Sequence, residues 1–181
     1  MEKRHCCAIL GHHPMRFAWG FDEEADECRD LKTELLQQIM ALRQQGMTQF
    51  FVVADCGIGL YAGEMLNILR EKDAELQLFC VTPHEEQATK WAPYLRDRYF
   101  DLLIKCTHME AASLRKTPTC EVDAYRKIID YADIVLAVYD PASARGDAVD
   151  QAMQHAKEQG RDIILIHPDS IEVSCETSAF C

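Results

Sequence analysis

The stretch from Phe50 to Glu64, Phe-Phe-Val-Val-Ala-Asp-Cys-Gly-Ile-Gly-Leu-Tyr-Ala-Gly-Glu, constrains the chain more than any other. An apolar run of strand length, rich in aromatic and β-branched residues, meets a Gly-x-Gly turn and then helical spacing. It reads as strand, tight turn, helix. Ligands of open α/β sheets sit at junctions of this kind. Gly57 and Gly59 let the backbone approach a ligand closely. The free N–H groups of a helix start, equivalent to about half a positive charge, favour an anion such as a phosphate. A nucleotide is therefore the first ligand class to consider. A compact turn also needs glycine without any ligand, and a dinucleotide fingerprint would carry a third glycine that this turn lacks.

The rest of the chain repeats the same alternation. Cys6 to Leu10 reads as a short buried strand that Gly11-His12-His13-Pro14 ends, and Asp22 to Gln45 as a long helix. In that helix Leu31, Leu35, Ile39 and Leu42 form an apolar stripe and Gly46 stops it. The helix after Gly59 runs to about Glu71, Leu76 to Val81 is a strand, and a short helix is expected from His84 to Lys90 behind Pro83. Asp101 to Cys106 fits either a strand or the end of a helix starting near Tyr94. Thr119 to Tyr131 is a helix, Ile134 to Tyr139 the clearest buried strand, and a further helix ends at Gln159. Ile163 to Ile166 is a last strand, and Pro168 onward a polar tail. Strands alternating with helices imply an α/β fold: a Rossmann-like parallel sheet flanked by helices, in a single domain over residues 1–181 with its core at about 6–167.

Composition narrows the function classes. A formal charge of −11 opposes duplex nucleic acid as the main partner, because phosphate contacts need clustered Lys and Arg. No apolar run is long enough to span a bilayer. The nine cysteines are odd in number and scattered, with no CxxC pair and no secretory leader. Reduced thiols in the cytoplasm, and no metal site, are the expectation.

Three strand ends carry unusual loops: Gly11 to Arg16, Asp55 to Glu64, and Asp140 to Asp147. In a parallel sheet such loops open on one edge and can converge. His12, His13 and Arg16 offer donors for an anion. Ser143, Arg145 and Gly146 precede Asp147 at the expected N-cap of the penultimate helix. Glu64 either complements its helix dipole or, facing a cleft, accepts from ribose hydroxyls or serves as a general base.

These same residues carry a resemblance. Gly11-His12-His13-Pro14 resembles a Gly-His-Arg-Pro signature, and Ala54 to Glu64 resembles a Ser-Gly-Gly-Ala-Leu-Gly-Val-Asp…Ala-Ala-Glu element. Thr82 to Trp91 resembles a Pro…Gln…Trp segment, and Asp130 to Asp140 a Ser/Ala-Asp…Leu-Leu-Ala-Val-Tyr/Trp-Asp strand. In order, from about residue 6 to 167, the chain is similar to the YpsA-like branch of the SLOG superfamily. That superfamily includes nucleotide-ligand sensors, DprA-type proteins and the LOG phosphoribohydrolases. The resemblance implies a Rossmann-like sheet and a site drawn from Gly11, His12, His13, Arg16, Asp55, Gly57, Gly59, Tyr61, Glu64, Asp140, Ser143, Arg145, Gly146 and Asp147. It implies a nucleotide, NAD or ADP-ribose derivative as ligand, and a homodimer. The chain departs from the pattern at Arg145-Gly146-Asp147, which replaces Gly-Gly-Thr and sets a carboxylate where a hydroxyl would meet a phosphate. Asp55 and Cys56 replace paired glycines, and Tyr61 the usual acid.

The leading expectation is a nucleotide or nucleotide-derivative binding protein with a sensing or regulatory role. In it the Gly57-Ile58-Gly59 amides hold a phosphate or ribose, Arg16 or His12 counters negative charge, and Glu64 takes a hydroxyl. The alternatives are a nucleotide N-glycosidase with Glu64 as its carboxylate, and an interaction protein that keeps the fold without the ligand.

Overall fold

A computed structural model describes residues 5–176. Among them the strands are β1 (Cys6–Gly11), β2 (Gln49–Val53), β3 (Gln77–His84), β4 (His108–Ser113), β5 (Ile134–Val138), β6 (Asp162–Ile166) and β7 (Val173–Cys175). The α-helices are α1 (Asp26–Gln44), α2 (Ile58–Arg70), α3 (Pro93–Lys105), α4 (Cys120–Tyr131) and α5 (Ala148–Glu158). They build one sheet in the order β4-β3-β2-β1-β5-β6-β7. All neighbours pair in parallel except β7, which lies antiparallel to β6. The chain winds outward from β1 to β4, then returns to lay β5 against the other side of β1. The strand order thus reverses between β1 and β5, the place where doubly wound sheets open a crevice.

Alternation along the strands supplies both sheet faces. Cys7 and Ile9 of β1, with Phe50 and Val52 of β2, pack under the Leu31, Leu35, Ile39 and Leu42 stripe of α1 and beside Leu66 of α2 and Leu102 of α3. Ala8, Leu10, Phe51 and Val53 face the opposite way, against Tyr125, Ile128 and Ile129 of α4 and Ala152 and Met153 of α5. Helices therefore cover both faces, as a parallel sheet requires. Among the described residues no helix is long and apolar enough to cross a membrane.

Several expected boundaries move. Asp101 to Lys105 is the last turn of α3, so the helical alternative applies. The strand after it is β4, whose sequence His-Met-Glu-Ala-Ala-Ser has no apolar run because it is an edge strand that pairs with β3 alone. β3 extends through Pro83 to His84, and no helix starts at His84; a 3-10 turn spans Gln87–Lys90 instead. Proline is tolerated there because pairing to β2 ends at Val81. The long helix begins at Asp26 rather than Asp22, after turns in which Asp22 and Ala25 donate to Trp19 and Asp22 carbonyls. The polar tail contains β7, a strand too short to carry a pattern, and residues 177–181 lie outside the described part.

Gly59 sits where α2 leaves β2, and a Cβ there would stand 1.8 Å from the Val53 carbonyl oxygen. That atom is sheet backbone and cannot yield. Gly59→Ala is expected to lose about 3 kcal/mol or more of stability, read by urea denaturation.

Candidate functional site

The turn between β2 and α2 has a glycine N-cap, so no side chain of the cap itself satisfies the first amides of the helix. Asp55, two residues before the cap, does so from outside. One of its oxygens, Oδ1, accepts from the Gly57 N–H at 2.8 Å and the Gly59 N–H at 3.0 Å, while Oδ2 accepts from the Tyr125 hydroxyl at 2.8 Å. Burial is the largest influence on this carboxyl and pushes its pKa up, against the pull of the donors. Two of the three amides expected to hold a phosphate, those of Gly57 and Gly59, are therefore already taken by the chain's own carboxylate.

The start of α5 is filled in the same way. Asp147 caps it, its Oδ1 accepting from the Asp150 N–H at 2.9 Å, and Asp150 Oδ2 returns the bond to the Asp147 N–H at 3.0 Å. Asp150 also accepts from the Arg145 N–H at 2.6 Å and from the Tyr139 hydroxyl at 2.8 Å. Burial alone would raise the Asp150 pKa, but these donors outweigh it and hold the carboxyl at about 2. Gly146, at φ +79°, supplies the left-handed turn that aims the Arg145 and Asp147 amides at this carboxylate.

Loop contacts close the crevice between β1 and β5. His12, 2% exposed, lies 4.6 Å from the Tyr139 ring and accepts the Asp140 N–H on Nε2 at 3.0 Å. Burial and then the Arg16 charge lower its pKa, so the ring is neutral and is no counter-charge for an anion. Arg16 Nη1 reaches Asp147 Oδ2 at 2.5 Å, and Nη2 donates to the Ser143 carbonyl and, at 3.2 Å, to its hydroxyl. Asp140 accepts the Ala142 N–H at 2.9 Å and caps the 3-10 turn Pro141–Ser143. Gly11 leaves room at the β1 end, where a Cβ would stand 2.5 Å from Ile58 Cγ1.

Beside this closed crevice, beyond the carboxyl ends of β2 and β3, lies a cavity of about 440 Å³. His13 and Pro14 come to it from the first loop, Asp55 and Cys56 from the β2–α2 turn, and Pro83, His84, Gln87 and Trp91 from the end of β3 and its connection to α3. Lys116, Glu121 and Tyr125 come from before and within α4, and Asp147, Ala148 and Val149 from the start of α5. Gln87 Nε2 donates to the Ala54 carbonyl at 2.7 Å, which fixes the segment over the turn. His13 Nε2 lies 3.5 Å from Cys56 Sγ, and burial together with the Asp55 charge pushes that thiol up to about 12.

Of the residues expected at a site, His13, Asp55 and Asp147 face this cavity. Gly57 borders the first loop, where a Cβ would stand 2.8 Å from Pro14 Cδ. Glu64 is elsewhere: its carboxylate accepts two bonds from Arg98, at 2.7 and 2.8 Å, and Arg98 also binds Glu23. That network ties the lead-in of α1 to α2 and α3 and sets Glu64 apart from the cavity wall. Tyr61 is 1% exposed, with Lys32 Nζ 4.4 Å from its ring centre, on the same helical layer as Glu64. Sequence reasoning left out Trp91, His84, Gln87, Lys116, Glu121 and Tyr125. Trp91 and Gln87 had a signal in the Pro…Gln…Trp segment; Tyr125 had none, since at helical spacing it looks like core.

A family model named YpsA and described as the YspA SLOG family matches residues 7–171. The chain belongs to that family. Among curated relatives, a UPF0398 protein of Bacillus licheniformis is 25% identical over 179 residues, covering 96% of this chain and 96% of its own length. A UPF0398 protein of Halalkalibacterium halodurans is 25% identical over 146 residues, covering 78% of this chain and 77% of its own. Among solved structures, a universal stress protein in complex with cAMP is 12% identical with a TM-score of 0.34, covering 91% of this chain and 98% of that one. Among the described residues no cluster of His, Cys, Asp and Glu is arranged to hold a metal ion.

The depressed Asp150 pKa makes stability depend on pH. A carboxylate held at about 2 in the fold, against an ordinary 3.8, contributes stability above pH ~4 and loses it as pH falls toward 2. Urea melts from pH 5 to pH 2 should show about 2 kcal/mol of acid-labile stability that Asp150→Asn lacks.

Proposed function

We propose that this SLOG protein binds a nucleotide-derived ligand in the cavity beyond β2 and β3 and acts as a sensor rather than a catalyst. The observation that carries the reading is the cavity's placement and lining. It lies at the carboxyl edge of the parallel sheet, and its wall combines the Trp91 and Tyr125 rings with His13, His84 and the polar groups of Gln87, Lys116 and Glu121. Aromatic faces suit a planar base, and the convergent polar groups suit its edges and a sugar. Family membership supports the same class of ligand, because the sequence resembles a superfamily that includes nucleotide-ligand sensors. A sensing role is favoured over N-glycosidic chemistry because the one carboxylate considered for that chemistry, Glu64, is bound to Arg98 and takes no part in the cavity wall.

The test is thermal unfolding against nucleosides, nucleoside monophosphates, NAD and ADP-ribose, each at millimolar concentration. At 100 times its dissociation constant a ligand adds about 2.7 kcal/mol, a rise of several degrees in Tm. Trp91→Ala is expected to weaken the response about tenfold or more by removing the stacking face, while Glu64→Gln leaves it unchanged. No response to any of these compounds would leave the fold-retaining interaction protein as the better description.

A further inference from the structure

At the two helix starts that meet the cavity, carboxylates of the chain already take several of the first amides. At α2 the Gly57 and Gly59 amides both point at Asp55 Oδ1, and the Tyr125 hydroxyl covers Oδ2. At α5 the Asp147 and Arg145 amides point at Asp150, and the Asp150 amide at Asp147. A phosphate brought to either place would have to displace a carboxylate that already has its donors, and would meet that carboxylate's charge at close range. Arg16, the arginine that reaches the α5 start, is 8% exposed in its side chain and spends its guanidinium on Asp147 and Ser143. Inside the cavity the carboxyl groups of Asp55, Glu121 and Asp147 share the wall with the ammonium of Lys116. Much of the remaining wall, Trp91, Tyr125, His13 and His84 with Pro14, Pro83 and Val149, is aromatic or apolar.

We propose that the cavity selects an uncharged nucleoside-like ligand, a base with its sugar and no phosphate, over the corresponding nucleotide, because Asp55 and the Asp147–Asp150 pair occupy the places a phosphate would take. The inference rests on the nucleotide-derived reading above and specifies its ligand. Carboxylates are acceptors only, so they suit the exocyclic amines of a base and the hydroxyls of a ribose and oppose a phosphate. Asp55 is the stand-in for a ligand's phosphate, built into the chain.

The experiment is isothermal titration calorimetry of the wild-type chain with adenosine, guanosine, cytidine and uridine and with their 5′-monophosphates, and with inorganic phosphate alone. For the base that binds, the nucleoside is expected to bind at least about tenfold more tightly than its monophosphate, a difference of ~1.4 kcal/mol, and inorganic phosphate not at all. Asp55→Gly frees the Gly57 and Gly59 amides, and is expected to reverse the order and bring measurable binding of inorganic phosphate. Asp55→Asn keeps an oxygen on both amides, removes the charge and sets an NH2 donor opposite the Tyr125 hydroxyl, which must then accept, so it should narrow the gap several-fold; it decides the point if Asp55→Gly fails to fold by circular dichroism. A wild-type chain that binds a monophosphate as tightly as its nucleoside, or more tightly, overturns the inference while leaving the nucleotide-derived reading standing. A wild-type chain that binds none of the eight compounds overturns the inference, and one that also gives no response to NAD or ADP-ribose overturns the nucleotide-derived reading with it.

Discussion

The Asp55 carboxylate is the contact on which the arrangement of the ligand edge depends. One oxygen satisfies two amides at the start of α2, which packs on one face of the sheet. The other takes the hydroxyl of Tyr125 in α4, which packs on the opposite face. A single side chain thus joins the two helical layers at the end of β2. Hydrogen bonds to an ionised carboxylate contribute about 1.5–3 kcal/mol each, more than neutral ones, and an unpartnered carboxylate in this place would be costly. Burial and the three donors pull the proton affinity of Asp55 in opposite directions, and the close fit of the donors is what makes an acid acceptable there.

The neighbouring crevice obeys the same rule. Where strand order reverses, between β1 and β5, a doubly wound sheet offers an opening for a ligand. Here His12, Arg16, Ser143 and Asp147 stitch that opening shut from within. Available space is displaced sideways, to the ends of β2 and β3. The substitutions that set this chain apart from the pattern it resembles, Asp55 and Asp147, are the residues that carry out the filling. They sit at helix starts without altering the fold, since each supplies an acidic acceptor to a backbone amide there.

Much of the fold was legible in the sequence because its causes are local. The α1 stripe Leu31, Leu35, Ile39 and Leu42 and the runs at Phe50 to Val53 and Ile134 to Val138 carry their periodicity in the chain itself. β4 and β7 were not legible: one is a polar edge strand and the other three residues long, so neither needs an apolar pattern to pair. Pro83 marked the wrong boundary because a proline is excluded from a strand only where its missing N–H has a partner to lose. The site was legible as a set of loops and not as a set of roles. Three strand-end loops were marked, but Glu64, chosen for its place on the helix, pairs with Arg98; Trp91 was quoted only within a resembling segment, and Tyr125 looked like core at helical spacing.

By itself the sequence determined that strands and helices alternate, that glycine must stand at the β2–α2 turn, and that acids flank the two helix starts. These are matters of propensity, spacing and steric room within a few residues. Only the tertiary structure decided where those acids point. Asp55 could cap its own turn or face a ligand, and the choice was made by Tyr125, 70 residues away; Arg16 could meet an outside anion or an inside one, and Asp147, 131 residues away, took it. A charged side chain goes to whichever partner the fold brings within hydrogen-bond reach, and reach is a property of three dimensions.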